Sequence, residues 1–150
     1  MKIFNRISLI ALITFLVAAC SPAPTPIPPV FAGNNPYAPQ AGDSNMIRGE
    51  VRIVTASLGL AQSQPPQEIL NFDYFQPTIC HKLRVEVSQP DAQNIIKLNA
   101  YAVTEKDKAC AMIAVSTPLK ASLNIGSYPK GHYSVWVNDI KAGRIASNKM

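Results

Sequence analysis

Proline is concentrated near the start of this chain. Seven of its 13 prolines lie between Pro22 and Pro39. Because proline lacks a backbone N–H and fixes φ, neither a helix nor a central strand forms where it recurs so often. Residues 21–45 are therefore predicted to form an extended tether, which at about 3.1 Å per residue reaches roughly 80 Å. A proline tract can instead be a ligand for an aromatic groove, but no basic residue flanks a PxxP here, which favours the tether.

An apolar run precedes the tether. Residues 7–19 are apolar apart from Ser8 and Thr14, and Lys2 and Arg6 lie before them. A basic start, an apolar stretch and small residues at a cut site are typical of a secretory signal. The run has 13 residues, whereas a transmembrane helix needs about 20. A buried core helix is the alternative, but a proline tract directly after it would be unusual.

The predicted signal, residues 1–19, ends just before a cysteine, in the sequence Val17-Ala18-Ala19-Cys20. This sequence resembles the lipobox of bacterial lipoproteins, in which an apolar residue and two small residues precede an obligatory cysteine. The resemblance implies that the Cys20 thiol receives a diacylglyceryl group, that the chain is cut before Cys20, and that the protein is exported and anchored to the cell membrane. Two or three acyl chains make a lasting anchor, whereas one holds only marginally. Ser21 follows the cysteine, which in double-membraned bacteria implies the outer membrane.

The chain that follows the signal is mildly basic. Loss of Lys2 and Arg6 with the signal lowers the formal net charge from +5 to +3, and no run of like charges is present. This composition and the exported location argue against a nucleic-acid partner. After the tether (residues 20–45, with the lipidated cysteine), residues 46–150 are enough for one domain with one core.

From Met46 onward, short runs rich in β-branched and aromatic residues alternate with turn residues. None shows sustained helical periodicity, and about seven strands at short spacing predict an all-β fold, an antiparallel β-sandwich. The predicted strands are residues 50–55, 69–75, 80–87, 95–104, 110–115, 120–125, 133–138 and 141–145.

Alternation within these runs predicts which side chains face the core. One face of the first run carries Val51, Ile53 and Thr55. In the run at 95–104, four alternate residues share one face, and Lys97, Asn99 and Tyr101 lie on the other face. The four are Ile96, Leu98, Ala100 and Ala102. In the third run one face is shared by His81, Leu83, Val85 and Val87.

Cys80 and Cys110 are the only cysteines besides Cys20. In an oxidising compartment these two have one way to pair, and a disulfide closing a loop of about 30 residues stabilises a fold by roughly 3–4 kcal/mol in the chain-entropy model. A redox or metal pair is the alternative, but the chain has no CxxC and no ligand cluster beside either cysteine. We therefore predict a Cys80–Cys110 disulfide.

The run from Leu123 to Asn138 contains Gly131-x-Tyr133 followed by alternating valines. It resembles the final hairpin of bacterial immunoglobulin-like domains, and Gly131-x-Tyr133 is similar to the tyrosine corner, in which the hydroxyl bonds back across the loop. With the two cysteines before it, residues 50–145 resemble the small disulfide-bearing immunoglobulin-like domains of exported lipoproteins. The resemblance implies an immunoglobulin-like sandwich and brings no catalytic residues.

The sequence offers little for catalysis. It contains no GxSxG, Walker, GxGxxG or HExxH motif. His81 and His132 are too few for a histidine-rich metal site, although a mixed site with Asp73 or Asp139 stays open, and His81 can equally be an ordinary strand residue. We predict no metal, no cofactor and no enzymatic activity. The alternative is an envelope hydrolase that uses some of the scattered carboxylates.

Trp136 is the candidate ligand contact. If Tyr133, Val135 and Val137 face the core, Trp136 faces outward. With Tyr101 or Tyr128 nearby it would form a platform for a sugar ring or a partner protein. In the alternative, a loop covers Trp136 or it belongs to the core. We therefore predict a non-catalytic binding or accessory module for an envelope protein, peptide or glycan; a purely structural spacer would show no aromatic patch.

Overall fold

The computed structural model describes residues 35–62, 67–106 and 115–148, which form a sandwich of two β-sheets. The described ranges contain a 3₁₀ helix (Ala41–Asn45) and no other helix. The strands are β1 (Met46–Glu50), β2 (Arg52–Ala61), β3 (Gln67–Phe75), β4 (Lys82–Val87), β5 (Ile95–Glu105), β6 (Leu119–Asn124), β7 (Gly131–Val137) and β8 (Ile140–Ser147). The predicted signal, the lipobox and the predicted strand at 110–115, apart from Val115, lie outside the described residues.

In the first sheet, β4 pairs with one edge of β5, and β1 and β7 pair with different parts of its other edge. β8 pairs with β7. The second sheet has the order β2-β3-β6. This confirms the predicted all-β sandwich, with eight strands in the ranges that the structure describes. The pairing of β5 with β7 is parallel and the other pairings are antiparallel. Parallel neighbours need a crossover connection, and here the chain passes through β6 of the second sheet between β5 and β7.

The core lies between the inward faces of the two sheets. Ile96, Leu98, Ala100 and Ala102 of β5 are buried there, so the face predicted for this run is confirmed. The predicted inward face of β7 is confirmed as well, since Tyr133, Val135 and Val137 are buried. From the second sheet, the core receives Leu70, Phe72, Tyr74, Ala121 and Leu123.

The chain changes sheets at Val51. β1 pairs with β5 in the first sheet, β2 pairs with β3 in the second, and Val51 between them is buried. A bulge follows, because Ile53 lies opposite Tyr74 and Thr55 lies opposite Asp73, which leaves Val54 unpaired. An extra residue reverses the alternation of a strand, so Thr55 is exposed. The prediction that Thr55 shares the face of Val51 and Ile53 is therefore wrong.

The loop before β7 contains the predicted tyrosine corner. The Tyr133 hydroxyl donates a hydrogen bond to the Pro129 carbonyl at 3.1 Å. A Cβ on Gly131 would lie 3.2 Å from the Tyr133 hydroxyl oxygen, so glycine leaves room for the tyrosine to fold back. The Gly131-x-Tyr133 spacing thus has a local steric reason.

Residues 35–45, which the proline content assigned to the tether, are folded against the first sheet; we call them the strap. The Val85 amide donates to the Tyr37 carbonyl at 2.7 Å, which covers the free edge of β4. Tyr37 packs on the core, and Asp43 accepts hydrogen bonds from Arg84 at 2.7 and 3.1 Å. The domain boundary predicted at residue 46 is therefore wrong. The residues that the strap contacts lie about 40 residues further along the chain, so the local composition of residues 35–45 does not indicate these contacts.

Candidate functional site

Trp136 lies on the outer face of the first sheet, between two lysines. Its neighbours Val135 and Val137 are fully buried, whereas Trp136 is partly exposed. Its partners in register are Lys97 on β5 and Lys141 on β8, so the three residues form one row across three strands. Because adjacent strands are about 4.8 Å apart, the two lysine backbones lie about 10 Å apart. The Lys141 ammonium is 5.9 Å from a ring centroid of Trp136, within cation–π range.

The next row along the same strands is Ile95, Ser134 and Arg144. We call the surface made by Lys97, Ser134, Trp136, Lys141 and Arg144 the basic face. The side chains of its three cations are exposed. None of these cations forms an ion pair within residues 35–62, 67–106 and 115–148. The basic face therefore combines an aromatic ring with three uncompensated positive charges.

The structure does not bring the other two predicted aromatic residues to Trp136. Tyr128 is only 4% exposed, its ring lies 5.3 Å from that of Tyr133, and its hydroxyl donates to the Ile125 carbonyl at 2.7 Å. Burial raises the pKa of Tyr128. Its place in a platform was therefore a wrong prediction, because a backbone carbonyl satisfies its hydroxyl inside the core.

Tyr101 does lie on the outer face, but it is four residues from Lys97 on β5, a distance of about 13 Å along the strand. It is 7% exposed. The Arg48 guanidinium lies 3.5 Å from its ring centroid, and its hydroxyl donates to Glu86 at 2.9 Å. Burial, followed by the hydrogen bond to Glu86, raises the pKa of Tyr101. Arg48 covers the ring of Tyr101, so the structure gives no support to the prediction that Tyr101 is a ligand contact.

Around Tyr101 the outer face is a closed polar network. Asn99 also donates to Glu86, at 3.2 Å. Arg84 is 5% exposed, and its hydrogen bond to Asp43 is the main cause that holds the pKa of that carboxyl below its ordinary value. Arg84 and Asp43 thus form an ion pair here, and Glu86 accepts hydrogen bonds from two neighbours, whereas the cations of the basic face have no carboxylate partner in the described ranges.

A gap in the strand pairing lies between the two halves. On one edge of β5, β1 pairs with residues 101–105 and β7 pairs with residues 95–98. The Asn138 side chain spans the gap: its Oδ1 accepts from the Ala100 amide at 2.8 Å, and its Nδ2 donates to the carbonyls of Ala100 (3.1 Å) and Val51 (3.3 Å). Asn138 has a φ of 49°, a left-handed conformation that asparagine tolerates. Its side chain thus replaces a missing strand at this point.

A cleft of about 450 Å³ opens beside Asn138 where the two sheets meet; we call it the junction cleft. Its lining includes the carboxylates of Glu50 and Asp139, together with Arg52 and Phe75, and contains no histidine. Both carboxylates are exposed. Enzymes hold their catalytic acids and bases in sites that exclude water, and no described residue encloses either group here. The junction cleft therefore contains two carboxylates, as the hydrolase alternative requires, but both are open to solvent.

Cys110 lies outside the described residues, so the predicted disulfide stays a prediction. Cys80 lies in the turn before β4. It is next to Met46 at the start of β1 and to Val103 and Glu105 at the end of β5. Five residues after Glu105 the chain reaches Cys110. An extended chain of five residues spans about 17 Å, so Cys110 is within reach of Cys80.

The two histidines lie apart from both surfaces. His81 precedes β4, and its Nδ1 is 2.8 Å from the Thr78 hydroxyl; His132 is exposed on β7. Across the described ranges, no three His, Cys, Asp or Glu residues are grouped as a metal site would require. Within the same ranges there is no helix with the length and apolar character needed to span a membrane.

Comparison of the chain with family models, with curated proteins and with solved structures finds no match in any of the three. The case for function therefore depends on the geometry.

Three features of the site were missed from the sequence: the strap, the Asn138 bridge and the lysines beside Trp136. Lys97 and Lys141 are 44 residues apart in the chain, and only the parallel pairing of β5 with β7 brings them to one row. The turn Asn138-Asp139 was the one feature of the sequence that could have indicated the hydrogen bonds of the Asn138 side chain.

Proposed function

We propose that this protein is an exported lipoprotein, anchored to a membrane through Cys20, whose β-sandwich is a non-catalytic binding module at the cell envelope. The signal-like run and the lipobox resemblance support the export and the anchor. The observation that carries the binding role is the basic face, in which a partly exposed tryptophan lies between two lysines.

No demand of the fold explains the basic face. The core is closed by the inward residues of β7, so Trp136 is not needed to fill it. Arg84 in the other half of the sheet is paired with Asp43, whereas none of the three cations around Trp136 has an ion pair within the described ranges. Exposed aromatic rings with positive charges nearby are typical of binding surfaces, where tryptophan and arginine contribute most of the affinity.

The anchor is tested by intact-mass analysis of the membrane fraction, with Cys20→Ala as control. The expected wild-type mass is that of a chain starting at Cys20 with added acyl groups, and reduction should add about 2 Da if Cys80 and Cys110 are joined. A full-length, unacylated wild-type chain would refute the lipoprotein proposal.

The binding role is tested by co-sedimentation with envelopes isolated from the source bacterium. The chain from residue 20 onward, with Cys20→Ala, removes the lipid as a cause of sedimentation. We expect this chain to sediment, Trp136→Ala to lose most of the binding, and Lys120→Ala, an exposed lysine of the second sheet, to retain it. Circular dichroism checks that each variant is folded. Equal sedimentation of folded Trp136→Ala, or no sedimentation of the parent chain, contradicts the proposal.

The junction cleft supports a second candidate, an envelope hydrolase that uses Glu50 and Asp139. Incubation with envelope glycans should then release new reducing ends, and Glu50→Gln and Asp139→Asn should each abolish the release. Activity that survives both substitutions would exclude this pair as the catalytic groups.

A further inference from the structure

We infer that the basic face binds an acidic glycan, with a sugar ring stacked on Trp136 and the anionic groups of neighbouring residues held by Lys97, Lys141 and Arg144. This inference rests on the proposed binding function and specifies its ligand.

The charge of the surface selects an anionic ligand. In register, the outward residues of β7 and β8 are His132, Ser134, Trp136, Lys141, Arg144 and Ala146. None carries a carboxylate, and Lys97 of β5 adds a further cation. Cations without local partners keep their full charge for a ligand, and a charge-assisted hydrogen bond is roughly twice as strong as a neutral one.

The arrangement of the row selects a ligand that presents ring faces as well as charges. Trp136 lies between the two lysines, whose backbones are about 10 Å apart. A ring placed on the indole therefore lies between the strands that carry Lys97 and Lys141, and Arg144 lies in the adjacent row. A polymer in which sugar rings alternate with carboxylate or sulfate groups fits this spacing.

A lipid surface fits less well. Proteins that lie on a membrane insert several apolar side chains alongside their basic residues. The exposed large apolar residues of the described ranges are Ile47, Val54, Leu60, Ile79 and Ile140, and none of them is on the basic face. The large apolar side chains near that face are Trp136 and Ile95 of the adjacent row, both only partly exposed.

The experiment is a titration of the chain from residue 20 onward, carrying Cys20→Ala, with hexagalacturonate and a chondroitin sulfate hexasaccharide. Trp136 is the only tryptophan in the chain, so its intrinsic fluorescence reports this surface directly. We expect at least one of the two glycans to change that fluorescence and to bind more weakly as salt rises. By calorimetry, Lys97→Ala and Lys141→Ala should each weaken binding about tenfold, as the loss of one charge-assisted hydrogen bond predicts. Trp136→Phe should retain more affinity than Trp136→Ala, and Lys120→Ala should match the parent.

Four comparison probes make the inference refutable: maltohexaose, poly-L-glutamate, oligothymidylate and phosphatidylglycerol vesicles. Equal affinity for maltohexaose would show that the charges are not used, and equal affinity for poly-L-glutamate would show that the ring is not recognised. Tighter binding of oligothymidylate or of the vesicles would assign the face to nucleic acid or to lipid. Each of these results overturns the inference.

Failure of the inference can be told apart from failure of the proposed function. If neither acidic glycan binds but the chain still sediments with envelopes in a Trp136-dependent manner, the glycan is wrong and the binding module stands. If sedimentation is lost as well, both are wrong.

Discussion

Asn138 is the residue on which the first sheet depends most clearly, and its removal gives a sharp test. Asn138→Gly keeps the left-handed backbone, because glycine adopts positive φ freely, and deletes the three side-chain hydrogen bonds to Ala100 and Val51. Ala100 is 3% exposed, so water cannot easily replace its lost partners. At about 0.5–1.5 kcal/mol for each bond, the free energy of unfolding should fall by about 2–4 kcal/mol.

Asn94 provides a matched control. Its φ of 57° is close to the 49° of Asn138, but its side chain forms no hydrogen bond with any other described residue. Asn94→Gly should therefore change the free energy of unfolding by less than about 0.5 kcal/mol. The comparison separates the bridging hydrogen bonds from the effect of placing glycine at positive φ.

The assay is urea unfolding followed by Trp136 fluorescence. For a slope of about 1–1.5 kcal/mol per molar, the midpoint of Asn138→Gly should fall by about 1.3–4 M while that of Asn94→Gly stays close to wild type. Asn138→Asp, which places a carboxylate against two carbonyl oxygens, should destabilise at least as much. Equal midpoints for the two glycine variants would refute the idea that Asn138 replaces a missing strand.

Three further predictions test other parts of the fold. Tyr133→Phe loses the hydrogen bond to Pro129 and should lower the free energy of unfolding by about 1 kcal/mol; a variant as stable as wild type in urea would show that the corner is not stabilising. The folded-state pKa of Asp43 is lowered from 3.8 mainly by its hydrogen bond with Arg84, so the stabilisation is present above the unfolded-state pKa and is lost as pH falls through the folded-state pKa. Asp43→Asn should then lower Tm at pH 7 and flatten the dependence of Tm on pH below about pH 4; identical profiles would contradict this. Cys110→Ser should lower the free energy of unfolding by about 3–4 kcal/mol if the predicted disulfide forms, and an unchanged midpoint in non-reducing urea would contradict it.

The elements that could be predicted from the sequence are those that depend on residues close together in the chain. Residues 69–75 and 95–104 became β3 and β5 within two residues at each end, because alternation repeats over every second position within one strand. The tyrosine corner was predicted for the same reason, since Gly131 and Tyr133 are two residues apart and the accepting carbonyl is four residues upstream of the tyrosine.

The features that could not be predicted from the sequence depend mainly on residues that are far apart in the chain. Arg84 meets Asp43 across 41 residues, and Asn138 meets Val51 across 87. Neither pair has a spacing that distinguishes it from the other polar residues of the chain. The bulge at Val54 was missed because one unpaired residue reverses the side-chain alternation without any proline or glycine to mark it.

The strap changes how the proposed anchor and the basic face relate to each other. Because Tyr37 is already bonded to β4, the predicted tether shortens to the residues from Cys20 to Asn35, about 15 in number, which at about 3.1 Å each would reach roughly 45 Å rather than 80 Å. The strap joins the first sheet at its β4 edge, and in the order of that sheet β8 lies at the opposite edge. If Cys20 is lipidated as we propose, the part of the basic face on β7 and β8 lies across the sheet from the edge where the tether joins it, which leaves it open to a polymer of the envelope.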